Sequence, residues 1–256
     1  MRFLVLMLLC AVVRAEEPSS LQVLTEGFER TALGAVPAGF AKEGLVGVAN
    51  DMAHTGRQSL RMEAAPKGGR RLVFANSRAL AALGGEHWGR LYFRVRFPVP
   101  PPPVPAAGQK FSVVHFTIVS GKGRSPLFED PVEVRMVDGC YGSNGGVQYL
   151  YNVQPAKRPE FGRGSRYDHR FADRWTLAEW HLDHATQTFQ LFLDGQEVKE
   201  VSFTKGAGRF DKAEIPAEFM SLSFGWTNYQ SAGEPGFMAW IDDVALAKTR
   251  LGPVSK

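Results

Sequence analysis

The chain has few of the features that usually announce stability or partners. Only two of its 256 residues are cysteine, Cys10 and Cys140. No apolar run is long enough to cross a membrane as a helix, which takes about 20 residues. Charge of one sign is not in excess: 30 Lys and Arg stand against 26 Asp and Glu. That near-balance argues against a nucleic-acid partner, which calls for a strongly basic surface. Long stretches of helical periodicity and internal repeats are lacking too, so bundles and solenoids are excluded.

The longest apolar run, Phe3 to Val13, follows Met1-Arg2 and precedes a polar stretch. This has the form of a secretory signal, with Val13 and Ala15 small enough for a signal-peptidase site. Cleavage is expected after Ala15. Residues 16–256 then form one mature domain, secreted or periplasmic, without a membrane span and monomeric. Cys10 leaves with the signal. Cys140, in the turn-like stretch Asp138-Gly-Cys-Tyr-Gly, remains alone and cannot form an intrachain disulfide. It reads as a structural thiol rather than a nucleophile.

What remains is strand. Leu91, Phe93, Val95 and Phe97 alternate with Tyr92, Arg94 and Arg96, the period of a half-buried strand. Val113, His115 and Thr117 alternate with Val114, Phe116 and Ile118 in a run from Lys110 to Val119. Glu133 and Arg135 face away from Val132, Val134 and Met136, and Gln148 and Asn152 away from Tyr149 and Tyr151. Asp194-Gly195 is a tight-turn signal within Trp180 to Val198. Met220–Trp226 and Met238–Leu246 supply the last strands. One short helix is expected at Ser77 to Leu83. The proline-rich stretch from Phe97 to Gln109 reads as a stiff connection at a sheet rim. Gly121 to Arg124 and Gly142 to Gly146 read as turns or loop rims. Together these predict an all-β, antiparallel β-sandwich of jelly-roll, concanavalin A-like type with few or no helices.

Three separated segments carry a resemblance: Glu26-Gly-Phe-Glu29, then Asn50 to Arg61 with His54-Thr-Gly-Arg-Gln-Ser-Leu60, and finally Trp240-Ile-Asp-Asp-Val-Ala245. The triplet resembles jelly-roll carbohydrate-binding modules, in which such segments meet around a structural calcium. The resemblance implies calcium held by Glu29 and by Asp242 or Asp243, with Thr55 and Gln58 adding oxygens. Calcium takes hard oxygen ligands of these kinds. The bland alternative is that Glu29 and the Asp pair are solvated strand residues. The Trp180 to Val198 hairpin is similar to those of concanavalin-like lectins and glucanases. With Trp88 to Phe97, the mature chain resembles one secreted jelly-roll family. It contains fungal glucuronan lyases, of the polysaccharide lyase family twenty type, and a related cellulose-induced protein.

That family implies a polysaccharide partner, an acidic one if the chain is a lyase. A lyase neutralises a uronic carboxylate, removes the proton at C5 with a base and stabilises the leaving oxygen. The residue types required are present on polar strand faces. His115 or a tyrosine such as Tyr229 is expected as base, with Arg94 and Arg135 recognising carboxylate. Arg96, Glu133, Gln148, Tyr149, Tyr151 and Trp226 are expected to line a cationic, aromatic-walled groove. Each has a plainer reading: cross-strand ion pairs for Arg94, Arg96, Glu133 and Arg135, and core packing for His115, Tyr149, Tyr151 and Trp226. The paired-carboxylate strand of retaining glucanases is not found. The leading expectation is a lyase cleaving a uronate-containing glucan. The alternatives are a non-catalytic, calcium-stabilised carbohydrate-binding protein and a structural surface protein with a vestigial groove.

Overall fold

The structure is a computed structural model, and it describes residues 22–96, 113–125, 130–205 and 215–254. The expected signal at 1–15 and the proline-rich stretch at 97–109 lie outside the described residues.

Strands β1 (Gln22–Glu26), β2 (Phe40–Glu43), β3 (Val46–Ala49), β4 (Ser59–Ala65) and β5 (Gly68–Phe74) lead to helix α1 (Ser77–Leu83). The long strands β6 (Glu86–Arg96), β7 (Val113–Arg124), β8 (Val132–Gly142) and β9 (Val147–Gln154) follow. Then come β10 (Phe161–Gly164), β11 (Thr176–Asp183), β12 (Thr188–Leu193) and β13 (Gln196–Glu197), and finally β14 (Glu218–Asn228) and β15 (Phe237–Ala247). Helix α1 forms where the short Ala/Leu-rich run predicts it. Asn76 caps it by accepting from the Ala79 N–H, and Leu80 and Leu83 anchor it in the core.

The strands build two sheets that pair antiparallel throughout. One runs β13-β12-β11-β6-β15-β4-β3, with β1 added on β15; the other runs β10-β9-β8-β7-β14-β5-β2. Their inner faces enclose one apolar core, as a jelly-roll sandwich requires. Alternation sets which side chains enter it: Leu91, Phe93 and Val95 from the first sheet, Val114, Phe116 and Ile118 from the second. Asp194 and Gly195 both take positive φ between β12 and β13, the two-residue turn their sequence favours.

Two loop expectations need correction. Asp138 to Gly142 completes β8, and Gly121 to Arg124 completes β7. Glycine there reflects close packing: a Cβ on Gly139 would lie 2.5 Å from the Gln148 carbonyl oxygen and 2.8 Å from the Phe116 ring.

Candidate functional site on the seven-stranded sheet

The outer face of the seven-stranded sheet gathers the polar side chains of β7, β8 and β9. Simple alternation does not account for this. A register break between Arg135 and Asp138 turns two successive residues, Met136 and Val137, into the core. Arg135 and Asp138 therefore face the same way. Breaks in β7 around Val119 and in β14 between Phe224 and Thr227 lie beside it. Such bulges re-aim side chains. Gly225 sits in the β14 break at φ 151, where a Cβ would meet the Arg70 carbonyl oxygen at 2.4 Å.

At the centre, Asp138 is fully buried and grips two neighbours. Its Oδ2 lies 2.7 Å from His115 Nε2, and its Oδ1 accepts from Thr117 Oγ1 at 2.5 Å. Thr117 Oγ1 is in turn 3.1 Å from the Tyr229 hydroxyl. Since the Thr117 hydrogen goes to the carboxylate, Tyr229 is the donor of that second bond. Burial pushes the Asp138 carboxyl up, opposed by His115 and Arg135. Burial likewise raises the Tyr229 phenol, with Arg135 opposing, so Tyr229 keeps its proton at neutral pH.

Tyr229 is delivered by the end of β14. Its N–H donates to the His115 carbonyl, and the Gln230 side chain accepts from the His115 N–H at 2.7 Å. Asn228 pins this segment through bonds to the Pro66 and Gln230 carbonyls and from Arg70. The Arg135 guanidinium lies 4.3 Å from the Tyr229 ring centroid.

His115, Tyr229, Arg135, Glu133 and Gln148 thus share one face. Arg94 and Arg96 do not. They lie on the outer face of the other sheet, where both pair with Asp173 and Arg96 stacks over Trp240. The expectation that Arg94 and Arg135 act together fails, because the sequence does not reveal strand order. Tyr149, Tyr151 and Trp226 are core residues: Trp226 stacks on Phe116, and Tyr151 packs on Phe189 and Phe203 of the opposite layer. They offer no sugar platform. Two arginines of this face, among the described residues, are paired with acids. Arg135 is matched by Glu133 and Glu160, and Arg71 by Glu43 and Glu133. Sequence reasoning missed Asp138, the hub of the cluster. Its nearest signal was an aspartate beside a β-strand, which alternation from Arg135 would place inward. Cys140 is half-buried, and burial pushes its thiol up to about 11, as befits a structural thiol.

The three segments expected at a calcium do meet. Asp242 Oδ2 accepts from the His54 and Thr55 N–H groups, and Asp243 bonds Thr55 Oγ1 and His54 Nδ1 at 2.7 Å each. Glu29 accepts from the Arg57 and Gln58 N–H groups, and Gln58 Nε2 returns a bond to the Glu29 carbonyl. Burial, then Asp243, push the Asp242 carboxyl up to about 7. Two adjacent carboxylates and a hydroxyl are a hard-oxygen set that suits a cation. The fit is partial: His54 occupies one Asp243 oxygen, and no three His, Cys, Asp or Glu side chains gather in metal-holding geometry among the described residues.

No protein-family model matches the chain, nor does any curated protein sequence. Solved structures do match. The cellulose-induced protein Cip1 superposes with a TM-score of 0.53 at 17% identity, covering 90% of this chain and 100% of that one. A binding domain of botulinum neurotoxin DC gives 0.51 at 11% identity. A chain of botulinum neurotoxin type C, whose cell entry is dependent upon interaction with two ganglioside molecules, gives 0.52 at 10%. Each of these two covers 90% of this chain, which spans only 48% of theirs. At such identities the likeness is one of fold.

Proposed function

We propose that this protein acts on a polysaccharide lying across the outer face of the seven-stranded sheet, and that it cleaves a uronate-containing glucan by β-elimination. The observation that carries the reading is the His115–Asp138–Thr117–Tyr229 chain beneath Arg135. Asp138 holds the hydrogen of His115 on Nε2, so Nδ1 is free to accept a proton. Arg135 offsets the charge of the uronate carboxylate and so acidifies C5. His115 Nδ1 takes the C5 proton, the electron pair forms the C4–C5 double bond, and the C4–O4 bond breaks. Tyr229, protonated at neutral pH, supplies the proton to the departing oxygen. Asp138 touches no substrate and is a positioning residue.

The test is incubation of the protein with a panel of polyuronates while following the ultraviolet absorbance of unsaturated uronate. A rise that is lost in His115→Ala supports the reading. A flat trace on every polymer refutes cleavage.

One observation favours the alternative, a non-catalytic carbohydrate-binding protein: Arg135 already has Glu133, Gln154 and Glu160 as partners. Retention on a polysaccharide without cleavage would support that reading. The sandwich likeness to a cellulose-induced protein and to ganglioside-linked toxin domains supports a saccharide partner under both.

We propose further that calcium binds where Asp242 and Asp243 meet Thr55, with Glu29 and Gln58 alongside, and ties the two chain ends together. Calcium then raises the melting temperature of chelator-treated protein, and Asp243→Asn abolishes that rise. An unchanged melting temperature would remove calcium from the account.

A further inference from the structure

Beside the catalytic cluster, a hollow of about 260 Å³ opens over β9 and β10, lined by Gln148, Asn152, Glu160 and Arg163 among others. Its polar groups are poorly matched. Glu160 Oε2 is 3.4 Å from Asn152 Nδ2 and 3.6 Å from Arg135 Nη1, so one oxygen serves two donors and neither closely. Both distances exceed those of a good charge-assisted bond. Arg135 and Asn152 are nearly fully buried cross-strand partners on β8 and β9. Arg135 Nε and Asn152 Oδ1 are buried without a hydrogen-bond partner among the described residues. The Glu160 side chain is 50% exposed, against 5% for Arg135.

A buried guanidinium and amide are thus served by a loosely held, half-exposed carboxylate. We infer that Glu160 is a displaceable stand-in for the uronate carboxylate of the substrate, and that Arg135, Asn152 and Gln154 form the subsite it vacates. A pair this long, with its carboxylate half-exposed, is worth little and gives way easily. A sugar carboxylate that faces the guanidinium squarely gains two charge-assisted bonds. Glu133 is not the stand-in: its side chain is only 18% exposed, and it also faces Arg71. Glu160 then filters ligands. An anionic sugar repels it and takes its place, whereas a neutral sugar leaves it on Arg135. The inference rests on the proposed uronate-active reading.

The test is affinity electrophoresis in the cold, where turnover is slow. One gel carries polyglucuronate and the other carries the same polymer with its carboxyls reduced to alcohols. Glu160→Gln binds polyglucuronate about fivefold more tightly than wild type, the scale of one exposed charge pair, and binds the reduced polymer unchanged. Glu63→Gln makes the same charge change on the opposite sheet and leaves both affinities unchanged. Equal or weaker binding by Glu160→Gln overturns the inference while wild-type retention keeps the functional reading. So does an equal gain in Glu63→Gln. If neither form is retained by any polyuronate, both fall together.

Discussion

Asp138 governs two neighbours through its two oxygens, and that sets what its replacement does. Asn at 138 keeps an acceptor for Thr117 but turns an amide donor toward His115 Nε2. The imidazole must then carry its hydrogen on Nδ1, and the base is lost. Asp138→Asn is expected to lower the elimination rate about a hundredfold or more, with KM little changed, in steady-state kinetics. Asp242 gives a separate prediction. Its folded value of about 7 lies above the ordinary carboxyl value of about 3.9. Between those values the folded chain holds a proton that the unfolded chain has released, so stability falls as pH rises through the window. In chelator, the urea midpoint is expected to fall from pH 5 to pH 8 (a span bracketing that upper value), and Asp242→Asn to flatten the slope. A slope unchanged in Asp242→Asn would place its origin elsewhere.

At the scale of elements, the site depends on bulges in β7, β8 and β14. Without the extra residue at Met136–Val137, Asp138 would point into the core. Gly225 is the sensitive point in β14. Gly225→Ala is expected to cost about 2 kcal/mol or more, read as a lower urea midpoint, because its Cβ would press on the β5 backbone. This is also where the sequence stops being legible. Alternation correctly assigned the faces of β6 and of β7 as far as Ile118, and the Ala- and Leu-rich run placed α1. The bulge in β8 shows in the sequence only as two successive apolar residues, Met136 and Val137, which alternation does not interpret. The stretch Asp138-Gly-Cys-Tyr-Gly has the composition of a turn, and that hides its place in β8. Tyr149 and Tyr151 alternate with Gln148 and Asn152, but alternation alone does not say which set faces inward. Burial gives the tyrosines to the core.

For the whole molecule, the decisive fact is which sheet carries which arginine. Arg94 and Arg96 lie on one outer face and Arg135 on the other, with the core between them. The sequence contains both sets but not the strand order that separates them. Arg94→Ala is accordingly expected to leave activity within about twofold of wild type, while Arg135→Ala removes most of it. The segments meeting at Asp242 and Asp243 were legible as a group through their resemblance to jelly-roll carbohydrate-binding modules, not through composition or alternation. Their meeting joins β1 and β15, the two ends of the described chain.

The claim that a base on this face removes a proton from C5 is tested most directly with polyglucuronate deuterated at that carbon. The account predicts unsaturated products that have lost the label, formed more slowly than from the unlabelled polymer, and absent with His115→Ala. Saturated products that keep the label would show hydrolysis instead, and would contradict it.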